Sequence, residues 1–160
     1  KLYGVISNMS IAIERRDFLQ KFDCFICNLE EAGIFFTDDY SEKTPAEMEK
    51  ILAGCLEKAN IDSMVITMGG DGSVYADMHG NRGFCPAKKV DVRDTTGAGD
   101  LYAAGFLYGL LNGYSLSVAG EIGSELSGRV IEITGTKMSE ATWAEIKLKV
   151  SSMVAEDIRH

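Results

Sequence analysis

The seven residues from Asp94 to Asp100, Asp-Thr-Thr-Gly-Ala-Gly-Asp, place glycines and carboxylates directly before an apolar helical run that starts at Leu101. Gly97 and Gly99 have no β-carbon, so a ligand can approach the backbone and successive N–H groups can converge on an oxyanion. The dipole of the following helix adds positive potential at its first turn. Asp100, on that turn, is placed to accept a hydroxyl proton while the N–H groups hold the charge of a transferring phosphoryl group. The pattern indicates phosphoryl transfer with the base and the anion hole in one turn.

A packing explanation competes for the same glycines, because Gly105 and Gly109 continue a face of small residues along the following helix. In that explanation Asp100 only complements the helix dipole. A pair of glycines alone favours packing. The full run of seven residues is more specific, so we predict that it carries chemistry.

The elements that must position this loop alternate between short β-like runs and helical patterns, which predicts a layered α/β fold in a single domain over residues 1–160. Thr44, Pro45 and Glu47 combine an N-cap, a proline at the first helical position and a capping-box glutamate, which predicts a helix start. Strands are predicted at 3–7, 24–27, 63–68 and 74–77, and helices at 11–20, 97–112, 116–133 and from 139 towards 158.

Charge and hydropathy exclude several classes of partner. Sixteen Lys and Arg against 24 Asp and Glu give a net charge of -8, which disfavours nucleic-acid binding. Wholly apolar stretches run for only a handful of residues, against the roughly 20 that a membrane-spanning helix needs. Residues 1–7 have no basic segment followed by a long apolar one, so no signal peptide is predicted. We expect a cytoplasmic protein without nucleic-acid or membrane partners.

Three stretches resemble the PfkB family of ribokinase-like carbohydrate kinases and occur in the family's order. The run from Asp94 to Asp100 is similar to the second family signature, Asp-Thr-x-Gly-Ala-Gly-Asp. Asn28-Leu29-Glu30-Glu31 is similar to the N-x-x-E motif. Thr67-Met68-Gly69-Gly70-Asp71-Gly72 takes the place of the Thr-x-Gly-x-x-Gly turn. The resemblance covers residues 3–136, which correspond to the C-terminal half of the family's fold.

The resemblance implies a three-layer α/β/α sandwich with a mostly parallel central sheet, and an ATP-dependent kinase for a primary hydroxyl of a sugar or nucleoside. It implies that Asp100 is the catalytic base and that Gly97, Ala98 and Gly99 form the anion hole. The residues that it places at the nucleotide and its phosphates are Asn28, Glu31, Thr67, Gly69, Gly72, Thr95 and Ser124, the last where many relatives have an asparagine near the adenine.

The resemblance also implies Mg²⁺, organised with the help of Glu31, and raises K⁺ near Asp94 as a further hypothesis. The family's N-terminal half, with its sugar-binding signature and β lid, is expected to be absent from these 160 residues. This fragment alone is therefore expected to be inactive. The oligomeric state is left open, with a homodimer as one alternative.

Three alternatives remain. Asn28 and Glu31 also fit a plain helix capping box, and both roles are compatible. Gly69-Gly70-Asp71-Gly72 also resembles the loop of NAD kinases and diacylglycerol kinases, where the loop opens a helix, whereas the residues after Ser73 alternate like a strand. The third alternative is a nucleotide-binding half-domain without catalysis.

Overall fold

The computed structural model describes residues 1–6, 13–14 and 16–158. Their chain forms two compact units, Lys1–Phe84 and Cys85–His160. The helix predicted at 11–20 lies partly outside the described residues, and its described end, Arg16–Lys21, is a 3-10 helix. Within the described residues no helix is both long and apolar enough to cross a membrane.

The first unit is built on a five-stranded sheet whose strands follow the order of the chain. The strands are β1 (Tyr3–Val5), β2 (Cys24–Asn28), β3 (Ser63–Thr67), β4 (Ser73–Asp77) and β5 (Arg82–Cys85). The pairs β1/β2 and β2/β3 are parallel and β3/β4 is antiparallel. The predicted α/β class is confirmed. The sheet, predicted to be mostly parallel, is mixed, with its parallel pairs at the start.

Two helices pack on this sheet, α1 (Leu29–Phe36) and α2 (Pro45–Ala59). The predicted start of α2 is confirmed: Thr44 Oγ1 accepts the Glu47 N–H at 3.4 Å, and the Glu47 carboxylate accepts the Thr44 N–H at 2.9 Å. Each bond satisfies a backbone donor that the helix leaves open. The core between helices and sheet is apolar, and its largest fully buried members include Met48, Leu52, Leu56, Met64 and Ile66.

The second unit contains three helices, α3 (Ala98–Leu111), α4 (Leu116–Val130) and α5 (Glu140–Asp157). The contact of α3 with α4 is very close, because a β-carbon on Gly105 would lie 2.9 Å from the Cα of Gly123. One on Gly109 would lie 2.7 Å from the Cα of Ala119. The packing explanation is therefore correct for Gly105 and Gly109. It does not extend to Gly99, where an added β-carbon would meet nothing within 4 Å.

Candidate active site

The loop from Asp94 to Asp100 is held at its first residue. The Asp94 carboxylate accepts the N–H of Thr96 at 2.9 Å through Oδ1 and the N–H of Gly135 at 2.9 Å through Oδ2. The N–H groups of Arg93 and Asp94 donate to the carbonyl of Ile131 at 2.8 and 3.3 Å. These bonds tie the start of the loop to the turn that follows α4.

The same contacts stabilise the charged form of Asp94. The Thr96 hydroxyl, the Gly135 N–H and the Thr96 N–H donate hydrogen bonds that lower the pKa of the carboxyl from 3.8 to about 2. Asp94 is therefore ionised throughout the physiological pH range. Its negative charge lies beside the turn that it anchors.

This lowered pKa predicts how stability depends on pH. A carboxyl with a lower pKa in the folded than in the unfolded chain stabilises the fold above its unfolded pKa, and the contribution is lost as pH falls through the folded pKa. We expect Asp94→Asn to lower the urea midpoint of unfolding at pH 7. The difference from the unmutated chain should shrink between about pH 4 and about pH 2. A difference that stays constant down to pH 2 would contradict the assignment.

Gly97 turns the chain into α3 through a backbone conformation that favours glycine. Its φ is 80°, in the left-handed region, and a β-carbon there would lie 2.7 Å from the Thr136 methyl group. Both observations exclude a larger residue without rearrangement. Residues 131–136 therefore set the geometry of the loop from one side.

The first turn of α3 presents free backbone donors. Within the described residues, the N–H groups of Gly97, Gly99 and Asp100 make no hydrogen bond, whereas the Ala98 N–H donates to the Thr95 carbonyl at 3.2 Å. The open space over Gly99 leaves room for a ligand at this turn. Unpaired donors at a helix N-terminus favour an anion such as phosphate.

The carboxylate of Asp100 stays available at the same turn. Asp100 is exposed, and the described part of the chain offers its side chain no hydrogen bond or ion pair. It is the third helical residue, the position from which Glu31 and Glu47 reach back to cap their own helices. Since Asp100 makes no such bond, its oxygens are available to a bound hydroxyl.

The first unit holds a second group of predicted residues at the carboxyl ends of β2 and β3. Asn28 is the register partner of Thr67, so their backbones lie side by side. Asn28 Oδ1 accepts the Glu31 N–H at 2.8 Å, and Glu31 Oε2 accepts the Asn28 N–H at 2.7 Å. The capping-box alternative is thereby confirmed. Partial burial raises the pKa of the Glu31 carboxyl, and the Asn28 N–H opposes this shift.

The glycine-rich turn follows β3 and leads back into the sheet. Gly69–Asp71 is a single 3-10 turn, Gly72 has a φ of 113°, and β4 begins at the next residue. Added β-carbons on Gly69 and Gly70 would meet nothing within 4 Å, so the backbone here is open to a ligand. Because a strand and not a helix follows the loop, the likeness to NAD and diacylglycerol kinases is not supported.

The two remaining predicted residues, Thr95 and Ser124, belong to the second unit. Thr95 is exposed at the start of the loop and contributes its carbonyl to the turn with Ala98. Ser124 lies on α4, and its hydroxyl donates to the Pro86 carbonyl at 3.1 Å. That bond gives Ser124 a structural partner, and its place near an adenine stays a prediction.

Sequence reasoning missed the contacts that support the loop from a distance. Gly135 binds Asp94 across 41 positions of sequence. A buried carboxylate on α4, Glu125, binds Lys88 and Arg129. The i,i+4 spacing of Glu125 and Arg129 was the one available signal, and it indicates an ion pair without showing that the pair is buried.

Known proteins are similar to this chain in sequence. Residues 5–143 match the family described as pfkB family carbohydrate kinase. The chain is 35% identical over 134 residues to a guanosine-inosine kinase from Exiguobacterium acetylicum, covering 83% of this chain and 43% of that protein.

Solved structures show the same fold. A probable sugar kinase from Rhizobium etli CFN 42 superposes with a TM-score of 0.74 and 28% identity, over 94% of this chain and 45% of that one. A ribokinase from Cryptococcus neoformans in complex with ADP gives 0.66 and 25%, over 89% of this chain and 51% of that one. The predicted ribokinase-like fold is confirmed, and the chain spans about half the length of these relatives.

Proposed function

The chain belongs to the pfkB carbohydrate kinase family, and on that premise we propose that it provides the nucleotide-binding and phosphoryl-transferring part of an ATP-dependent kinase. The acceptor is a primary hydroxyl of a sugar or a nucleoside. The names of the relatives support both acceptor classes, a guanosine-inosine kinase on one side and a probable sugar kinase and a ribokinase on the other.

One observation carries the proposal: the first turn of α3 combines a carboxylate and N–H donors that have no partner among the described residues. Asp100 takes the proton of the acceptor hydroxyl while the hydroxyl oxygen attacks the γ-phosphorus of ATP. The bond from that phosphorus to the β,γ-bridging oxygen breaks, and ADP leaves. The N–H groups of Gly97 and Gly99 hold the negative charge of the transferring group, and they are already oriented before it arrives. Ala98 joins the hole only if its N–H leaves the Thr95 carbonyl.

The remaining predicted residues serve the nucleotide. In the first unit, the open backbone at Gly69 is proposed to run along the nucleotide, together with Gly72 and with Thr67 at the end of β3. In the second unit, Thr95 at the start of the loop and Ser124 on α4 are proposed nucleotide contacts. Asn28 orients Glu31 through their reciprocal hydrogen bonds.

Magnesium fits the residues present through Glu31. Its Oε1 makes no hydrogen bond within the described residues, so it is free to accept a bond from a metal-bound water or to bind the ion. Mg²⁺ usually takes one or two carboxylates and completes its shell with water and substrate phosphates. Among the described residues, no three His, Cys, Asp or Glu side chains form a group that could hold a metal. The ion would neutralise charge on the nucleotide phosphates.

Asp94 fits a metal less well, since each of its carboxylate oxygens already accepts an N–H. The K⁺ hypothesis therefore depends on the backbone around Asp94. Rates measured with K⁺ and with a larger organic cation in its place test it.

The experiment that tests the proposed function is a panel of acceptors. The protein is purified at its native length and incubated with Mg-ATP and, in turn, ribose, fructose, adenosine, inosine and guanosine. We expect ADP to form only when an acceptor of one class is present. Binding of Mg-ATP without ADP formation for any acceptor favours the non-catalytic half-domain. Absence of nucleotide binding would contradict both.

A further inference from the structure

The segment that leads into the loop is fastened along the whole length of α4. We call residues 85–94 the strap. Near its start the Cys85 thiol contacts the Ser117 carbonyl at 3.5 Å, and the Pro86 carbonyl accepts the Ser124 hydroxyl. At its end the Arg93 N–H reaches the Ile131 carbonyl, just beyond the helix. The position of the loop therefore depends on how the strap sits on α4.

Glu125 is the charged centre of this attachment. Its side chain is 4% exposed, and its two oxygens accept hydrogen bonds from Lys88 Nζ at 2.6 and 2.7 Å. Arg129 Nε donates to the same carboxylate at 3.0 Å. Burial alone would raise the pKa of Glu125, but these donors outweigh it and hold the pKa below its usual value. The Glu125 carboxylate is thus charged in a buried position, and its hydrogen-bonded partners offset the cost of removing it from water.

The contact between Lys88 and α4 also involves its aliphatic stem. A β-carbon on Gly128 would lie 2.8 Å from the Lys88 Cβ and 2.9 Å from its Cδ, so the stem lies directly on the helix backbone. Lys88 therefore holds the strap on α4 in two ways, through the packing of its stem and through its ion pair with Glu125.

The network continues from the strap towards the third helix of the unit. Arg129 Nη2 lies 3.2 Å from an oxygen of Glu145, an exposed residue of α5, and Arg129 Nη1 lies 3.8 Å from an oxygen of the half-buried Glu132. Meanwhile α4 packs against α3 through Gly105 and Gly123. One helix therefore holds both the segment before the loop and the helix after it.

We propose that Glu125 is a positioning residue for the anion-binding turn of the kinase, acting through Lys88 and the strap. The inference rests on the proposed function, because that function identifies the anion bound at the turn as a phosphate of ATP. Its structural part, that Glu125 fixes the conformation of the loop, is measurable without a ligand. A role in stability alone would loosen the whole second unit, whereas positioning acts on the strap and the loop.

The test uses Glu125→Gln, which keeps the shape of the side chain and removes its charge. Glu145→Gln is the matched control, because it removes an exposed carboxylate of the same network on α5, away from the loop. Amide hydrogen exchange is followed across the chain, and the affinity for a non-hydrolysable ATP analogue is measured by calorimetry. We expect exchange within 85–100 to accelerate by about tenfold or more in Glu125→Gln, with binding of the analogue weakened by a similar factor, and no such change in Glu145→Gln.

Lys88→Met provides a second, milder variant in case Glu125→Gln does not fold. It keeps the stem on Gly128 and the bond from Arg129, and removes only the ammonium group. The same local pattern is expected at smaller amplitude. Uniformly faster exchange over 85–158, or no change in 85–100, would overturn the proposal whatever the affinity. If the unmutated protein binds no ATP analogue, the proposed function fails, and the exchange pattern alone still decides whether Glu125 positions the loop.

Discussion

Replacing Asp100 by asparagine is expected to lower the rate of phosphoryl transfer by about 10²- to 10⁴-fold, the range that general-base groups contribute. Asparagine has nearly the same shape but cannot accept the hydroxyl proton. Because the Asp100 side chain is exposed and has no partner in the described part of the chain, its loss removes no packing and no structural hydrogen bond. Fold and ADP affinity should therefore stay close to those of the unmutated protein.

The matched control for this variant is Asp91→Asn, which neutralises another exposed carboxylate shortly before the loop. It should leave the rate unchanged, since Asp91 is not on the turn that presents the N–H donors. The measurement is the initial rate of ADP formation with the active acceptor, together with circular dichroism and ADP titration. A rate in Asp100→Asn equal to that of Asp91→Asn would contradict the assignment of the base.

Replacing Gly97 by alanine is expected to damage both the fold and the site. A φ of 80° strains the backbone of alanine, and the added methyl group would lie too close to the Thr136 methyl. Strained backbone positions of this kind cost about 1–3 kcal/mol. We expect a loss of that order in the free energy of unfolding, measured in urea, and weaker binding of a non-hydrolysable ATP analogue, because the N–H groups proposed to hold its γ-phosphate are re-aimed.

Gly99→Ala separates the two effects of Gly97→Ala. At Gly99 the added methyl enters open space and φ is not in the left-handed region, so the free energy of unfolding should stay within about 0.5 kcal/mol. The same methyl projects into space that the γ-phosphate would use, so binding of a non-hydrolysable ATP analogue should still weaken. Unaltered binding of the analogue in Gly99→Ala would place the anion elsewhere. Unaltered stability in Gly97→Ala would contradict the geometry of the turn.

Local signals in the sequence predicted the elements well. The caps at Thr44 and Asn28 are confirmed because a capping box involves residues only three apart. The predicted strands end within a residue or two of the observed ones. The helix predicted over 116–133 instead ends at Val130. There the Ile131 carbonyl accepts the N–H groups of Arg93 and Asp94, a contact that helical periodicity does not reveal.

The sequence predicts a chemistry for the candidate site, but it does not predict the contacts that support the site. The run from Asp94 to Asp100 indicates a base beside an anion hole because its residue types and spacing are local. Which N–H groups are free depends on the Ala98 turn, and the anchoring of Asp94 depends on Gly135. The burial of Glu125 depends on the strap lying over α4. Each of these contacts joins distant residues, so the fold must be known before they can be seen.

The most direct test of the proposed kinase is to detect the phosphorylated acceptor itself. The protein at its native length is incubated with Mg-ATP and each acceptor, and the acceptor is analysed by mass spectrometry beside a reaction with Asp100→Asn. We predict that one sugar or nucleoside gains a single phosphoryl group with the unmutated protein and that this product is strongly reduced with the variant. Equal product with both proteins, or no phosphorylated acceptor although ATP is bound, would contradict this account.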